Sequence, residues 1–217
     1  MFAVYRPPFA PSGIRGLGMF AHVVDERTKL RLLQQQHAQA LFQVVEANRA
    51  HLRAWLPWLD SHTTVQDSMD FIVMSIFTFA QRGPMVCGIW YDERLVGVIG
   101  HNTIDAETGW ATIGYWLSRG VEGRGVMTRC VQAFLDHAFH EYGLAGVEIR
   151  VGTTNVRSQA IADRLGFERG EVLVGAERLH DRTVDHRINR MSRERYLRAT
   201  PAGGEAGGLP RGTGAPG

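Results

Sequence analysis

Cysteine is scarce: Cys87 and Cys130 are the only two in 217 residues, far apart and each inside an apolar run. That excludes a disulfide framework and a zinc cluster, and it fits a reducing compartment. An excess of one charge is also lacking. Lys and Arg number 24 against 22 for Asp and Glu, and the net +2 gives no general affinity for nucleic acid or an anionic membrane. Basic residues crowd the stretch from Arg178 to Arg198, but acidic residues interleave with them, so it reads as a solvated surface. No apolar run is long enough to span a bilayer. The nine histidines show no metal-ligand spacing, and no internal repeat is visible. No Gly-Lys-Ser or Gly-Lys-Thr occurs, which removes a P-loop. Pro7, Pro8 and Pro11 stand without an apolar h-region, so no secretory signal is expected, and a soluble cytoplasmic protein is.

The length favours one domain. Residues 1–18 are rich in proline and glycine, and residues 199–217 are mostly Gly, Ala and Pro. Both are expected to be flexible ends around a folded unit over residues 19–198. Within it, residues 29–33 alternate like a strand, and residues 36–53 have helical spacing with Ala40, Leu41, Val44, Val45 and Leu52 on one face. Pro57 ends that helix within Trp55-Leu56-Pro57-Trp58-Leu59. A second helix is predicted over residues 65–81. Strands over 85–91 and 95–101 read as a hairpin around Asp92-Glu93-Arg94, and another strand covers 110–117. The spacing of Met127, Val131, Phe134, Leu135 and Ala138 predicts a helix over 125–142. A short strand over 147–151, a helix over 155–165 stopped by Gly166, and a hairpin of 172–176 with 184–189 complete the pattern. Hairpins come first and strand–helix alternation later, so the sheet should be mixed.

The run Glu122-Gly123-Arg124-Gly125-Val126-Met127-Thr128 joins a strand to the long amphipathic helix. A helix start with so little side-chain bulk leaves several N–H groups pointing at one spot, with the positive end of the helix dipole behind them. That spot suits a pyrophosphate. A dinucleotide fold would need a third glycine and an early strand–helix–strand unit, whereas Met127 and Thr128 stand here and the motif lies past mid-chain. The glycines alone also fit an ordinary turn.

Order and spacing of several stretches together resemble the GCN5-related N-acetyltransferase (GNAT) superfamily, in its branch of ribosomal-protein serine and alanine acetyltransferases. The stretches are 52–59 (Leu-Arg-Ala-Trp-Leu-Pro-Trp-Leu), 113–117 (Ile-Gly-Tyr-Trp-Leu), 123–128, 147–150 (Val-Glu-Ile-Arg), 155–161 (Asn-Val-Arg-Ser-Gln-Ala-Ile), 164–167 (Arg-Leu-Gly-Phe) and 184–186 (Val-Asp-His). The resemblance implies an α/β fold with a mixed, mostly antiparallel sheet splayed between strands 4 and 5, flanked by helices, with acetyl-CoA in the splay. By that likeness residues 110–117 form the fourth strand, and Ile113, Tyr115, Trp116 and Leu117 offer it backbone groups for the pantetheine arm. Gly123, Arg124, Gly125, Val126, Met127 and Thr128 would hold the pyrophosphate through their N–H groups. A Cβ at 123 or 125 would push the phosphates away. Glu122 departs from the superfamily's usual Gln or Arg, and is expected to point outward with Arg124 partly offsetting its charge.

Moving acetyl from a thioester to an amine requires deprotonating the amine, polarising the carbonyl and stabilising the leaving thiolate. With a pKa of about 8 an α-amine is roughly a tenth neutral at pH 7, far more than lysine at about 10.4. A carboxylate acting through water can therefore suffice as base. The resemblance places that base at Glu177, with Glu171 and Glu168 as neighbouring alternatives; Glu177 could also simply end a strand beside Arg178. It places the acid toward the departing sulfur at Ser158, a residue that could equally cap its own helix. Asn155, one turn earlier on the same face, matches a residue that contacts the coenzyme arm and also suits a helix N-cap. Trp55, Pro57 and Trp58 either wall the acceptor side or form a packed corner. Where relatives carry a small polar residue or Cys, this chain has Val151, and both cysteines read as buried core, so direct transfer is expected. The expected acceptor is a primary amine, preferably the N-terminal α-amine of a ribosomal protein. The alternatives are a small amine such as an antibiotic, a polyamine or an amino sugar, or a CoA-binding module without catalysis. No metal, nucleic acid or membrane partner is expected, and the apolar runs near the C-terminus could support a homodimer.

Overall fold

Antiparallel pairing dominates the sheet, and its single parallel contact creates the opening in which the candidate site lies. The computed structural model describes residues 21–81 and 83–200. The expectations for residues 1–18 and 201–217 lie outside the described residues, and Ala199, expected in the tail, closes a helix. The strands are β1 (Ala21–Val23), β2 (Thr28–Leu32), β3 (Val86–Tyr91), β4 (Arg94–Ile104), β5 (Trp110–Leu117), β6 (Gly146–Gly152), β7 (Glu168–Leu179) and β8 (Arg182–Ser192). They lie in the order β1-β2-β3-β4-β5-β6-β8-β7, mixed and mostly antiparallel as expected.

β5 meets β6 in parallel over only three pairs, Trp110–Gly146, Ala111–Val147 and Thr112–Glu148. The strands are close at that end because Gly146 has no side chain: a Cβ there would lie 2.5 Å from the Trp110 ring. Beyond Thr112 β5 stays paired to β4 through Leu117, and β6 stays paired to β8 through Gly152, so the two diverge. This is the expected splay. It falls between the fifth and sixth strands rather than the fourth and fifth, because Ala21–Val23 adds a strand ahead of residues 29–33.

The helices are α1 (Ala38–Ala47), α2 (Arg49–Arg53), α3 (Val65–Ala80), α4 (Val126–His140), α5 (Val156–Arg164) and α6 (Arg193–Ala199). One face of the sheet packs on α4, α5 and α6 through Val131, Phe134, Phe139, Ala162 and Tyr196. The other packs on α1, α2 and α3 through Leu41, Val45, Leu52 and Ile72 against Trp90, Leu95 and Val98. Phe134 and Phe139 are almost wholly buried, and cutting either back to Ala costs about 3–5 kcal/mol in such a core. That packing fixes α4, and with it the direction in which its first N–H groups point.

The single helix expected over residues 36–53 is broken at Asn48, where φ is −119° and ψ 10°. The Asn48 side chain accounts for the break: Nδ2 donates to the Val44 carbonyl at 2.8 Å, while Oδ1 accepts from Ser118 Oγ at 3.1 Å and the Arg119 N–H at 3.0 Å. The kink thus ties α1 and α2 to the loop ahead of the glycine motif. α3 begins where expected, with Thr64 and Asp67 forming a capping box. The last hairpin is longer than expected, and its register shifts twice, between Arg169 and Val172 and between Leu173 and Glu177. Gly175, with φ of +64°, is in the second bulge, and its N–H donates to Asp185 Oδ1 at 2.7 Å.

Candidate active site

Two clefts open on opposite sides of the splay. The first, of about 1110 Å³, runs along the free edge of β5 to the start of α4. Gly123 and Gly125 both have left-handed backbones, φ of +73° and +72°, which carries the chain round the turn so that α4 starts with its axis toward the cleft. No side chain caps α4 and its first turn holds no acid. A Cβ at Gly123 would meet no protein atom within 4 Å, so the space before these amides is open, as a pyrophosphate requires. Tyr115, Trp116, Leu117, Gly123, Gly125, Val126, Met127 and Thr128 line this cleft, as do Asn155 and Ser158.

Two expected members differ. Ile113 is buried and borders only the second cleft. Arg124 lines neither, and its guanidinium lies 5.9 Å from the centre of the Tyr91 ring. Glu122 does not point outward. Its carboxylate bonds His51 Nε2 of α2 at 2.9 Å and the Arg157 guanidinium of α5, spanning the cleft mouth with its charge paired to Arg157 rather than to Arg124. Arg164 Nη1 donates to Thr128 Oγ1 at 3.1 Å, placing a cation beside the first turn of α4.

The second cleft, of about 1010 Å³, is bounded by Trp55, Pro57 and Trp58 on one side and by β4 and β8 residues on the other. Leu59 beside this wall is fully buried, while Trp58 stays 38% exposed, so the corner packs through Leu59 and Trp58 is left open to the cleft. The hairpin tip fastens this wall: His180 Nε2 bonds the Arg53 carbonyl at 3.0 Å, Arg182 Nη2 donates to the Ala54 carbonyl at 2.6 Å, and the Arg182 guanidinium lies 5.6 Å from the centre of the Trp55 ring. Glu177 faces this cleft together with its cross-strand partner Val184. Its Oε2 lies 3.3 Å from His186 Nε2. Glu171 instead accepts two hydrogen bonds from the Arg190 guanidinium, each at 2.8 Å, which hold its pKa down to about 2, and neither it nor Glu168 borders either cleft.

Six residues border both clefts: Trp55, Leu56, Tyr115, Trp116, Asn155 and Ser158. They form a waist between the two cavities. Asn155 caps α5, its Oδ1 accepting from the Ser158 N–H at 3.2 Å, so its capping role is realised. The Ser158 hydroxyl is paired with the Tyr115 phenol at 2.9 Å. Burial pushes the Tyr115 phenol up to about 12, with the serine bond acting weakly the other way. Val151 is buried at the edge of the second cleft. Cys87 and Cys130 are buried thiols pushed up to about 12, and neither borders a cleft. Among the described residues no group of His, Cys, Asp and Glu is arranged to hold a metal, and no helix is long and apolar enough to cross a membrane.

Sequence reading missed His51, Arg157 and Arg164 on the first side and His186 on the second. Arg157 and Arg164 had a signal, because their spacing of seven puts both on one face of α5. His186 stood in one of the matching stretches, 184–186, but its pairing with Glu177 depends on the register of the hairpin, and His51 had no signal, since its carboxylate partner lies 71 residues on.

The acetyltransferase (GNAT) domain family matches residues 27–168. The ribosomal-protein-serine acetyltransferase of Escherichia coli is 27% identical over 158 residues, covering 73% of this chain and 88% of its own. RimL, a ribosomal L7/L12 alpha-N-protein acetyltransferase solved with coenzyme A, superposes with a TM-score of 0.77 at 25% identity, covering 79% of this chain and 97% of its own. The microcin C7 self-immunity acetyltransferase MccE, solved with acetyl-CoA and AMP, superposes with a TM-score of 0.74 at 26% identity, covering 84% and 97%.

Proposed function

Because the chain belongs to the GNAT acetyltransferase family and takes its acetyl group from acetyl-CoA, we propose that it acetylates the N-terminal α-amine of a protein, with a ribosomal protein as acceptor. The observation that carries this reading is the pair of clefts meeting at one waist, with a carboxylate on one side and a row of helix amides on the other. The N–H groups of Gly123 and of residues 125–128 bind the pyrophosphate, and Arg164 adds positive charge beside it. The unpaired edge of β5 beyond Thr112 holds the pantetheine arm and donates to the thioester carbonyl as it becomes tetrahedral. The amine enters from the acceptor-side cleft. Glu177 accepts its proton through water and Ser158 donates toward the departing sulfur. Transfer is direct, in a ternary complex, because neither thiol reaches a cleft.

A small-molecule acceptor is the second reading, favoured by the likeness to MccE, whose structure holds AMP beside acetyl-CoA. Steady-state turnover decides between them. Peptides beginning with Ser, Ala or Met, including ribosomal-protein N-termini, are set against aminoglycosides, spermidine and aminoacyl-nucleotide analogues. The proposal expects kcat/KM for the best peptide to exceed every small amine by at least about tenfold, a difference of about 1.4 kcal/mol. The reverse order would replace it with the second reading.

A further inference from the structure

We propose that the Tyr115 side chain is a positioning residue for the chemical step: its phenol donates to the Ser158 hydroxyl and so leaves the serine's own proton free for the coenzyme sulfur. The inference deepens the reading above, since it rests on Ser158 acting as the acid. It assigns a role to a side chain whose strand was otherwise valued only for backbone contacts.

Three observations carry it. The hydrogen bond, 2.9 Å long, crosses the splay itself, from β5 to the first turn of α5. Both of its ends border both clefts, so the pair lies where donor and acceptor must meet. Tyr115 is also the only side-chain partner of the Ser158 hydroxyl among the described residues. The direction of donation follows from chemistry. A phenol is a stronger donor than an aliphatic hydroxyl, and the serine oxygen is the stronger acceptor. Burial keeps the phenol protonated across the neutral range.

The pairing matters because of where Ser158 stands. A serine in a helix readily turns its hydroxyl back to a carbonyl three or four residues earlier, here that of the N-cap Asn155. In that rotamer its proton is spent on its own backbone. A donor aimed at its oxygen from across the splay favours the rotamer that faces the waist. A tyrosine needed only to fill space would do so equally well without its oxygen.

The test reads the coenzyme's thiol without needing an acceptor. Coenzyme A binding is first measured by calorimetry. The thiol pKa in the complex is then followed by the ultraviolet absorbance of the thiolate, against protein alone, across a pH series. An oriented hydroxyl favours the thiolate, so Tyr115→Phe and Ser158→Ala are each expected to raise that pKa by about one unit, with no further rise in the double variant. With the best acceptor, Tyr115→Phe is expected to lower kcat about tenfold while KM for acetyl-CoA stays within about twofold. A thiol pKa unchanged in Tyr115→Phe, or a double variant showing the sum of two shifts, overturns the inference and leaves the acetyltransferase reading standing. Failure of the wild-type protein to bind coenzyme A at millimolar concentration overturns both.

Discussion

Glu177 and Glu171 lie on the same strand, and their surroundings divide their fates. Glu171 is saturated by Arg190, while Glu177 faces an open cleft beside His186. Glu177→Gln keeps the shape and removes the proton acceptor, so kcat is expected to fall about 100-fold or more with KM for acetyl-CoA within about twofold. Glu171→Gln is expected to stay within about twofold on both, which steady-state kinetics of the two variants checks. Glu122 offers the opposite kind of test. Its carboxylate lies at the mouth of the coenzyme cleft, tied to His51 and Arg157. Glu122→Gln removes a negative charge near the phosphates, and coenzyme A is expected to bind about three- to tenfold more tightly, with the gain shrinking as salt rises. Calorimetry at low and high ionic strength reads this directly, and weaker binding would mean that Glu122 serves mainly to hold Arg157 in place. At this scale the sequence named Glu177, Ser158 and Asn155 only through family resemblance. Taken singly, each also had an ordinary reading as a strand end, a first-turn serine or a helix cap, and for Asn155 the capping contact is present in the structure.

Elements were more legible than their irregularities. Strand β5 falls on residues 110–117 as the pattern indicated, and α4 and α5 differ from expectation by one or two residues at their ends. The break at Asn48 was hidden because apolar periodicity continues across it; what interrupts the helix is a side-chain amide bonded to a loop 70 residues later. The bulges in β7 were hidden for a related reason. Period-2 alternation fixes faces only while the register runs unbroken, and Gly175 shifts it just before Glu177. The turn into α4 carries its own prediction. Gly125→Ala puts a side chain at φ of +72°, which costs about 1–2 kcal/mol, and its Cβ would lie 2.7 Å from Arg129 Nη1. The expected outcome is a lower melting temperature together with weaker coenzyme A binding, since the first amides of α4 must re-aim. Thermal melts with and without the coenzyme separate the two effects.

The molecule as a whole is expected to lose stability on mild acidification because of a buried histidine on the wall of the second cleft. His101 is buried against Phe134 and Tyr142, its Nδ1 accepting from the Met85 N–H at 3.4 Å and its Nε2 without a partner among the described residues. Burial holds its pKa down to about 3, with His137 pushing the same way. In the unfolded chain a histidine titrates near 6.5. Between these values the unfolded state binds a proton that the folded state refuses. The stability contributed by neutral His101 is therefore complete above pH 6.5 and is lost as pH falls toward 3. His37, His62 and His137 are lowered by burial and act in the same direction. The ion-paired carboxylates Glu46, Asp60 and Asp92 are held below their ordinary values and add their losses only in stronger acid. Urea unfolding at a series of pH values should show stability declining from pH 6.5 to about 4.5, by up to about 1.4 kcal/mol per unit for this one group. His101→Phe should flatten the slope in that window. An unchanged slope would mean that His101 takes up its proton without unfolding.

Hydrophobic periodicity and turn chemistry are local, so the sequence by itself determined the order and kind of the elements, the mixed sheet and the glycine start of the long helix. It also determined that only two cysteines exist and that the net charge is +2. Tertiary structure alone decided where β5 parts from β6 and which face the shifted register gives Glu177. It also decided that Glu122 closes a bridge between α2 and α5, and that a phenol from one strand reaches a serine from a later helix. All but the register depend on atoms brought together from segments tens of residues apart, a distance over which no periodicity in the chain carries information, and the register depends on bulges that interrupt the alternation within one hairpin.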